Sequence, residues 1–154
     1  MIINLITIGK NMPNWVNEGF YEYAKRMPKD YKLQLIEIPA IKRTSNIQQI
    51  QQKESEQMLS RIPKSSLIIA LDEHGQQWNT QQLAKQLQNW HDNWREISLL
   101  IGGPEGLAPA CLAKANLKWS LSSLTLPHAM VRIIVAEQLY RAWSILTKHP
   151  YHRD

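Results

Sequence analysis

Short apolar runs alternate with amphipathic stretches along the whole chain. Residues 2–8, IINLITI, form a β-rich apolar run stopped by Gly9. From Pro13 onward Trp15, Val16, Gly19, Phe20 and Tyr23 fall on one face at helical spacing. KLQLIEI, residues 32–38, predicts a second strand ended by Pro39. The polar loop IKRTSN then leads to a glutamine-rich helix beginning near Ser45, where Gln48 completes a capping box. SLIIALD (66–72) and EISLLIGG (96–103) are apolar at consecutive positions, the pattern of strands buried on both faces. Between them DEHGQQ turns the chain into a helix capped by Asn79 or Thr80 and carrying Leu83, Leu87 and Trp90. A short helix over 109–115, a strand with its exit loop over 119–126 (WSLSSLTL) and one long helix over 128–146 complete the pattern.

Strands alternating with helices predict an α/β fold, a parallel sheet flanked by helices, in a single domain spanning residues 1–154. The last helix is apolar around its circumference, with Ile133, Ile134, Val135, Leu139, Tyr140 and Trp143 among the contributors. Such a helix is buried. Because a sheet covers one side of it, the other side is expected to meet a second copy about a twofold axis.

Composition narrows the class. With 154 residues, 44% apolar and 20% charged, the chain is neither disordered nor fibrous. Its apolar runs fall far short of the ~20 residues that cross a bilayer, and MIINLITIGKNMPNW lacks the basic start of a signal peptide. The single cysteine, Cys111, fits a reducing compartment and reads as a small core residue. A soluble cytoplasmic protein without membrane or metal partners is the expectation. The net charge of +5 gathers at Lys25, Arg26, Lys29 and Lys32, at Lys42 and Arg43, and at Arg132, Arg141, Lys148 and Arg153. A solvated face and an RNA-binding surface both accommodate it.

Ligands of open parallel sheets bind beyond the carboxyl ends of the strands. Three strand exits stand out: Leu71 to Gly75, Gly102-Gly103-Pro104-Glu105-Gly106, and Ser120 to Pro127. Three glycines around one proline exceed what a turn requires, and Gly102 and Gly103 would let a ligand lie against the backbone. Motifs for P-loop, Rossmann and α/β-hydrolase sites are absent. His149 and His152 have metal-ligand spacing but no third ligand nearby in sequence. The tail HPYHRD joins stacking surface to a guanidinium, as RNA bases and phosphates require; it also suits a terminus simply packed down by Tyr151.

LLIGGPEGL, SLSSLTLPHAMVRIIVAEQLYRAW and the terminal HPYHRD resemble the RlmH family of SPOUT-class methyltransferases, and so do IGKNMPNWVNEGFYEYAKRMPKD, LIEIPA and KESEQML. That resemblance covers essentially the whole chain. It implies an α/β knot, in which the C-terminal segment makes a deep trefoil, and a homodimer paired through it. It implies methyl transfer from S-adenosylmethionine to N3 of a pseudouridine in 23S ribosomal RNA, on the ribosome and without metal. The family's cofactor positions correspond here to Leu71, Gly102, Leu121, Ser122, Ser123, Leu124, Thr125 and Leu126. Ser123 stands where alanine is common, and His74-Gly75-Gln76 replaces a proline-containing turn. Catalysis on the RNA is assigned to Tyr151, His152 and Arg153, with His128, Arg132 and Arg141 as substrate contacts; Glu105, Glu137, His128 and His152 are candidate bases. Glu137 and Arg141, four apart on one helix, could instead pair. A non-catalytic RNA-binding module shares the charge and tail but has no need of three glycine-lined exits, and another nucleotide-using α/β enzyme has no need of the tail.

Overall fold

A computed structural model describes residues 1–42 and 46–153. In chain order the elements are β1 (Ile2–Ile8), α1 (Asn14–Ala24), a 3-10 turn (Lys29–Tyr31), β2 (Lys32–Ile38), α2 (Ile47–Ser60), β3 (Leu67–Gln77), α3 (Thr80–Asn93), β4 (Glu96–Ile101), α4 (Pro109–Lys114), β5 (Leu117–Ser120) and α5 (His128–Leu146). All strand pairs are parallel, in the order β2-β1-β4-β3-β5.

Successive residues of β1 serve opposite faces, as the pleat requires. Ile3 and Leu5 join Ile69, Ile97 and Leu99 under Phe20 of α1, Leu83 and Leu87 of α3, and Val135 and Leu139 of α5. Ile6 and Ile8 join Ile38 and Leu100 under Met58 of α2 and Cys111 of α4. Cys111 is thus a core residue, and burial raises its thiol pKa. The predicted cap of α3 is present: Asn79 Oδ1 accepts from the Gln82 N–H at 2.8 Å, and Gln82 Oε1 accepts from the Asn79 N–H at 2.9 Å.

Four expectations change. The anticipated Ser45 cap lies outside the described residues, and α2 is capped by Asn46, whose Oδ1 accepts from the Gln49 N–H. β3 runs on to Gln77 because DEHG bulges out of it: Leu71 and Gln76 both pair with Trp119. A Cβ on Gly75 would stand 2.6 Å from the Lys118 carbonyl carbon, so only glycine lets the bulge return against β5. β5 begins two residues earlier than expected, at Leu117, and ends at Ser120, with residues 121–126 as the expected exit loop. Finally, α5 is flanked by two helices of its own chain as well as resting on the sheet. It packs between α1 and α3, where Gly19 allows close approach, since a Cβ there would lie 2.8 Å from Ile133 Cδ1. No residue from Val131 to Leu146 is exposed. Val131, Ile133, Ile134, Trp143 and Ile145 are half-buried. Trp15 and Tyr21 of α1 and Met130 of α5 stay exposed.

Among the described residues, no helix is long and apolar enough to cross a membrane.

Candidate functional site

The bulge of β3 and the carboxyl ends of β4 and β5 open into a cleft of about 690 Å³. Leu71, Asp72 and Glu73 line one side, Gly102 to Leu107 a second, and Leu121, Ser122 and Leu124 to His128 a third, with Trp119 below. Trp119 stacks on Trp78, ring centroids 5.5 Å apart. Eight of the nine predicted cofactor residues thus meet in one place. Ser123 is the exception: its Oγ accepts from Gln77 Nε2 at 3.1 Å, tying the end of β3 to the 121–126 loop.

The glycine loop is a turn closed on itself. Gly106 N–H donates to the Gly103 carbonyl at 2.9 Å across Pro104 and Glu105. Of the three glycines only Gly106 occupies the left-handed region, at φ 77°. Gly102 is glycine for a different reason, since a Cβ there would lie 2.5 Å from the carbonyl carbon of Gly106 and 2.6 Å from the nitrogen of Leu107. The loop therefore folds directly over Gly102. From outside, Gln51 of α2 donates through Nε2 to the Glu105 carbonyl at 2.8 Å. Nothing in the Gln-rich pattern of α2 marks Gln51, because its partner lies 54 residues away.

Electrostatically the cleft is one-sided. The described residues lining it include three carboxylates, on Asp72, Glu73 and Glu105, one imidazole, on His128, and no Lys or Arg. Burial, aided by the charge of Arg132, lowers the His128 pKa and favours the neutral ring. Arg132, expected as a substrate contact, is buried among partners of its own chain. It is 1% exposed, donating from NH1 to Glu37 Oε2 at 2.8 Å and from NH2 to the Gly9 carbonyl at 2.9 Å. It fastens the start of α5 to the ends of β1 and β2.

The tail lies elsewhere. Tyr151 packs edge-on against Tyr140 and donates its hydroxyl to Glu137 Oε1 at 3.0 Å. Glu137 also accepts from Arg141 Nε at 2.8 Å, and the Arg141 guanidinium covers the Tyr151 ring at 4.8 Å. Arg141 NH1 lies 3.3 Å from His152 Nδ1. Burial, with hydrogen bonds to Tyr23 and Glu137, raises the Tyr151 pKa. So Arg141 and Glu137 do pair, and both organise the tail. None of Tyr151, His152, Arg153 and Arg141 lines the cleft of its own chain. Glu137 is nine residues beyond His128 on α5, about 13 Å at 1.5 Å per residue.

A family model described as "Predicted SPOUT methyltransferase" matches residues 1–152. Among solved structures, "a probable methylase family protein from Haemophilus influenzae Rd KW20" is 15% identical, with a TM-score of 0.58 over 99% of this chain and 70% of that one. At that identity the likeness is one of fold. The family match spans nearly every residue, including the cleft and most of the tail: the chain belongs to the SPOUT methyltransferase family.

Proposed function

We propose that the chain is an S-adenosylmethionine-dependent methyltransferase acting on N3 of a pseudouridine in 23S ribosomal RNA, on cytoplasmic ribosomes. We further propose that it works as a homodimer in which each cleft is completed by the partner's tail. SPOUT methyltransferases generally use S-adenosylmethionine. The observation that carries the reading is the separation of chemistry: an acidic cleft at one end of α5 and an aromatic tail bearing the Arg153 guanidinium, anchored about 13 Å along it.

The cleft fits the cofactor. Leu71, Leu121, Leu124 and Leu126 offer apolar surface for an adenine, and the loop folded over Gly102 brings backbone rather than side chains to the wall. Asp72, Glu73 and Glu105 set a negative potential suited to a ligand carrying a sulfonium and an ammonium. When bound, S-adenosylmethionine supplies an electrophilic methyl group. That same potential repels phosphate, so the cations that hold RNA come from outside the cleft. Tyr151, His152 and Arg153 supply stacking surface, a ring nitrogen and a guanidinium, and the exposed Trp15, Tyr21 and Met130 offer apolar surface for pairing. The neutral His128 at the cleft mouth can exchange a hydrogen bond with the acceptor base. The proposal includes the trefoil knot, in keeping with residues 121–127 leaving the sheet to line a cleft walled by the glycine loop and the bulge of β3.

Complementation tests the reading. A Gly102→Val chain lacks a working cleft, and a chain truncated before Tyr151 lacks the tail. Each alone should transfer no methyl group to ribosomes lacking the modification. Random pairing makes half the dimers mixed, each with one intact site, so coexpression should restore about a quarter of the normal rate. Full transfer by the truncated chain alone would overturn the shared site. Failure of the unaltered protein to bind S-adenosylmethionine in calorimetry would overturn the activity and leave a non-catalytic RNA-binding module.

A further inference from the structure

We propose that Gln51 is a positioning residue for the cofactor, acting through the peptide unit between Glu105 and Gly106; this rests on the reading that the cleft takes S-adenosylmethionine. That peptide unit is held at both ends. Its carbonyl accepts from Gln51 Nε2 at 2.8 Å, and its N–H donates to the Gly103 carbonyl at 2.9 Å. The two bonds fix the peptide plane, with the carbonyl turned toward α2 and away from the cleft.

The restraint matters because of where it acts, next to the freest joint of the loop. Gly106 has no Cβ to limit rotation, and a Cβ built there would meet nothing within 4 Å. Loss of the Gln51 bond would leave the peptide held at one end beside a glycine, and a rotated carbonyl would change the wall that the cofactor meets. Neighbouring contacts make α2 a firm platform. Glu54, one turn further on, is buried, and its Oε2 accepts from the Ile41 N–H at 3.1 Å. Met58 packs beneath with Ile8 and Cys111. The crevice between α2 and the loop is only about 10 Å³, at most one water, so Gln51 is not filling a ligand site of its own. Its side chain is half-buried rather than part of the core, which separates its effect on the loop from global stability.

Three versions of the full chain test this. Gln51→Leu keeps the bulk and removes the donor, Gln51→Lys retains an N–H donor, and the unaltered protein is the reference. Calorimetry with S-adenosylmethionine should show three- to tenfold weaker binding by Gln51→Leu, the range expected for one net hydrogen bond. Gln51→Lys should bind within about twofold of the reference. Methyl transfer at saturating cofactor should change little, so the loss appears in KM and not in kcat. Hydrogen exchange of a peptide spanning residues 102–107, measured without cofactor, should speed up in Gln51→Leu alone while the melting temperature stays put. Unchanged cofactor affinity or unchanged loop exchange in Gln51→Leu would overturn the proposal, as would a Gln51→Lys chain as impaired as Gln51→Leu. If the unaltered protein bound no cofactor, the functional reading would fall, and loop exchange would still decide whether Gln51 holds the loop.

Discussion

Replacing Arg132 by Met removes the cation that joins α5 to the ends of β1 and β2 while keeping an apolar stem of similar length. The guanidinium makes two bonds, to Glu37 Oε2 at 2.8 Å and to the Gly9 carbonyl at 2.9 Å, from a residue that is 1% exposed. Truncating one partner of a buried pair typically costs about 3–5 kcal/mol, because the other charge is stranded. Two features reduce this. Glu37 keeps 28% of its side chain in solvent and can be rehydrated. Arg132 Nε is buried without a hydrogen-bond partner, so its removal returns roughly 1 kcal/mol. A net loss of about 2–3 kcal/mol follows, or roughly 5–10 °C in Tm for a domain of this size. Urea denaturation should show a lower midpoint with an unchanged slope. Adding Glu37→Leu should recover part of the loss, since the stranded carboxylate disappears with its partner. A Met variant within about 0.5 kcal/mol of the parent would refute the structural role. If that variant also lowered the salt slope of ribosome binding by about one, Arg132 would be the phosphate contact that its sequence position suggests.

Other outcomes follow from the same geometry. Gly102→Ala places a methyl 2.5 Å from the Gly106 carbonyl carbon, so the protein should stay folded and lose cofactor binding by calorimetry. Because burial and Arg132 hold the His128 pKa down, the unfolded chain takes up this proton first as pH falls. Stability should therefore decline below the ordinary histidine value of about 6.5, and His128→Gln should flatten that part of the pH profile; an unaltered slope would place the ring in water. Trp119 lies under the cleft against Trp78, so S-adenosylmethionine should perturb tryptophan emission in the parent and much less in Trp119→Phe.

Much of the fold was legible because burial imposes a period. Residues 2–8, 32–38 and 128–146 match β1, β2 and α5 residue for residue, each bounded by Gly or Pro or by a change of polarity. The extension of β3 was not, since Asp72 to Gly75 bulge out and Gln76 resumes the pairing, leaving no alternation to read. The 119–126 segment was legible as a strand with its exit loop, whose leucines line the cleft; only the start of the strand, two residues earlier at Leu117, was not. The cofactor residues came from resemblance together with strand-exit logic, and eight of nine converge. The roles of Arg132 and Gln51 depend on partners 95 and 54 residues away, which no local pattern encodes. Tyr151 and Arg141 were legible as chemistry but not as place, because only the folded chain shows them gathered on Glu137.

The strand order also governs how the chain can assemble as it is made. β1 and β2 are close in sequence and can pair early, yet the other edge of β1 must wait for β4, where Ile2 pairs with Glu96. Until then the most apolar strand of the protein has an open edge able to pair with another nascent chain. The Gly9 carbonyl waits longer still, for a guanidinium 123 residues downstream. Pairings this distant pay loop-closure entropy before they gain contacts, so folding is slow and completes only after the C-terminal helix has left the ribosome. The parallel arrangement that creates the cleft thus leaves a strand edge of the newborn chain open for much of synthesis.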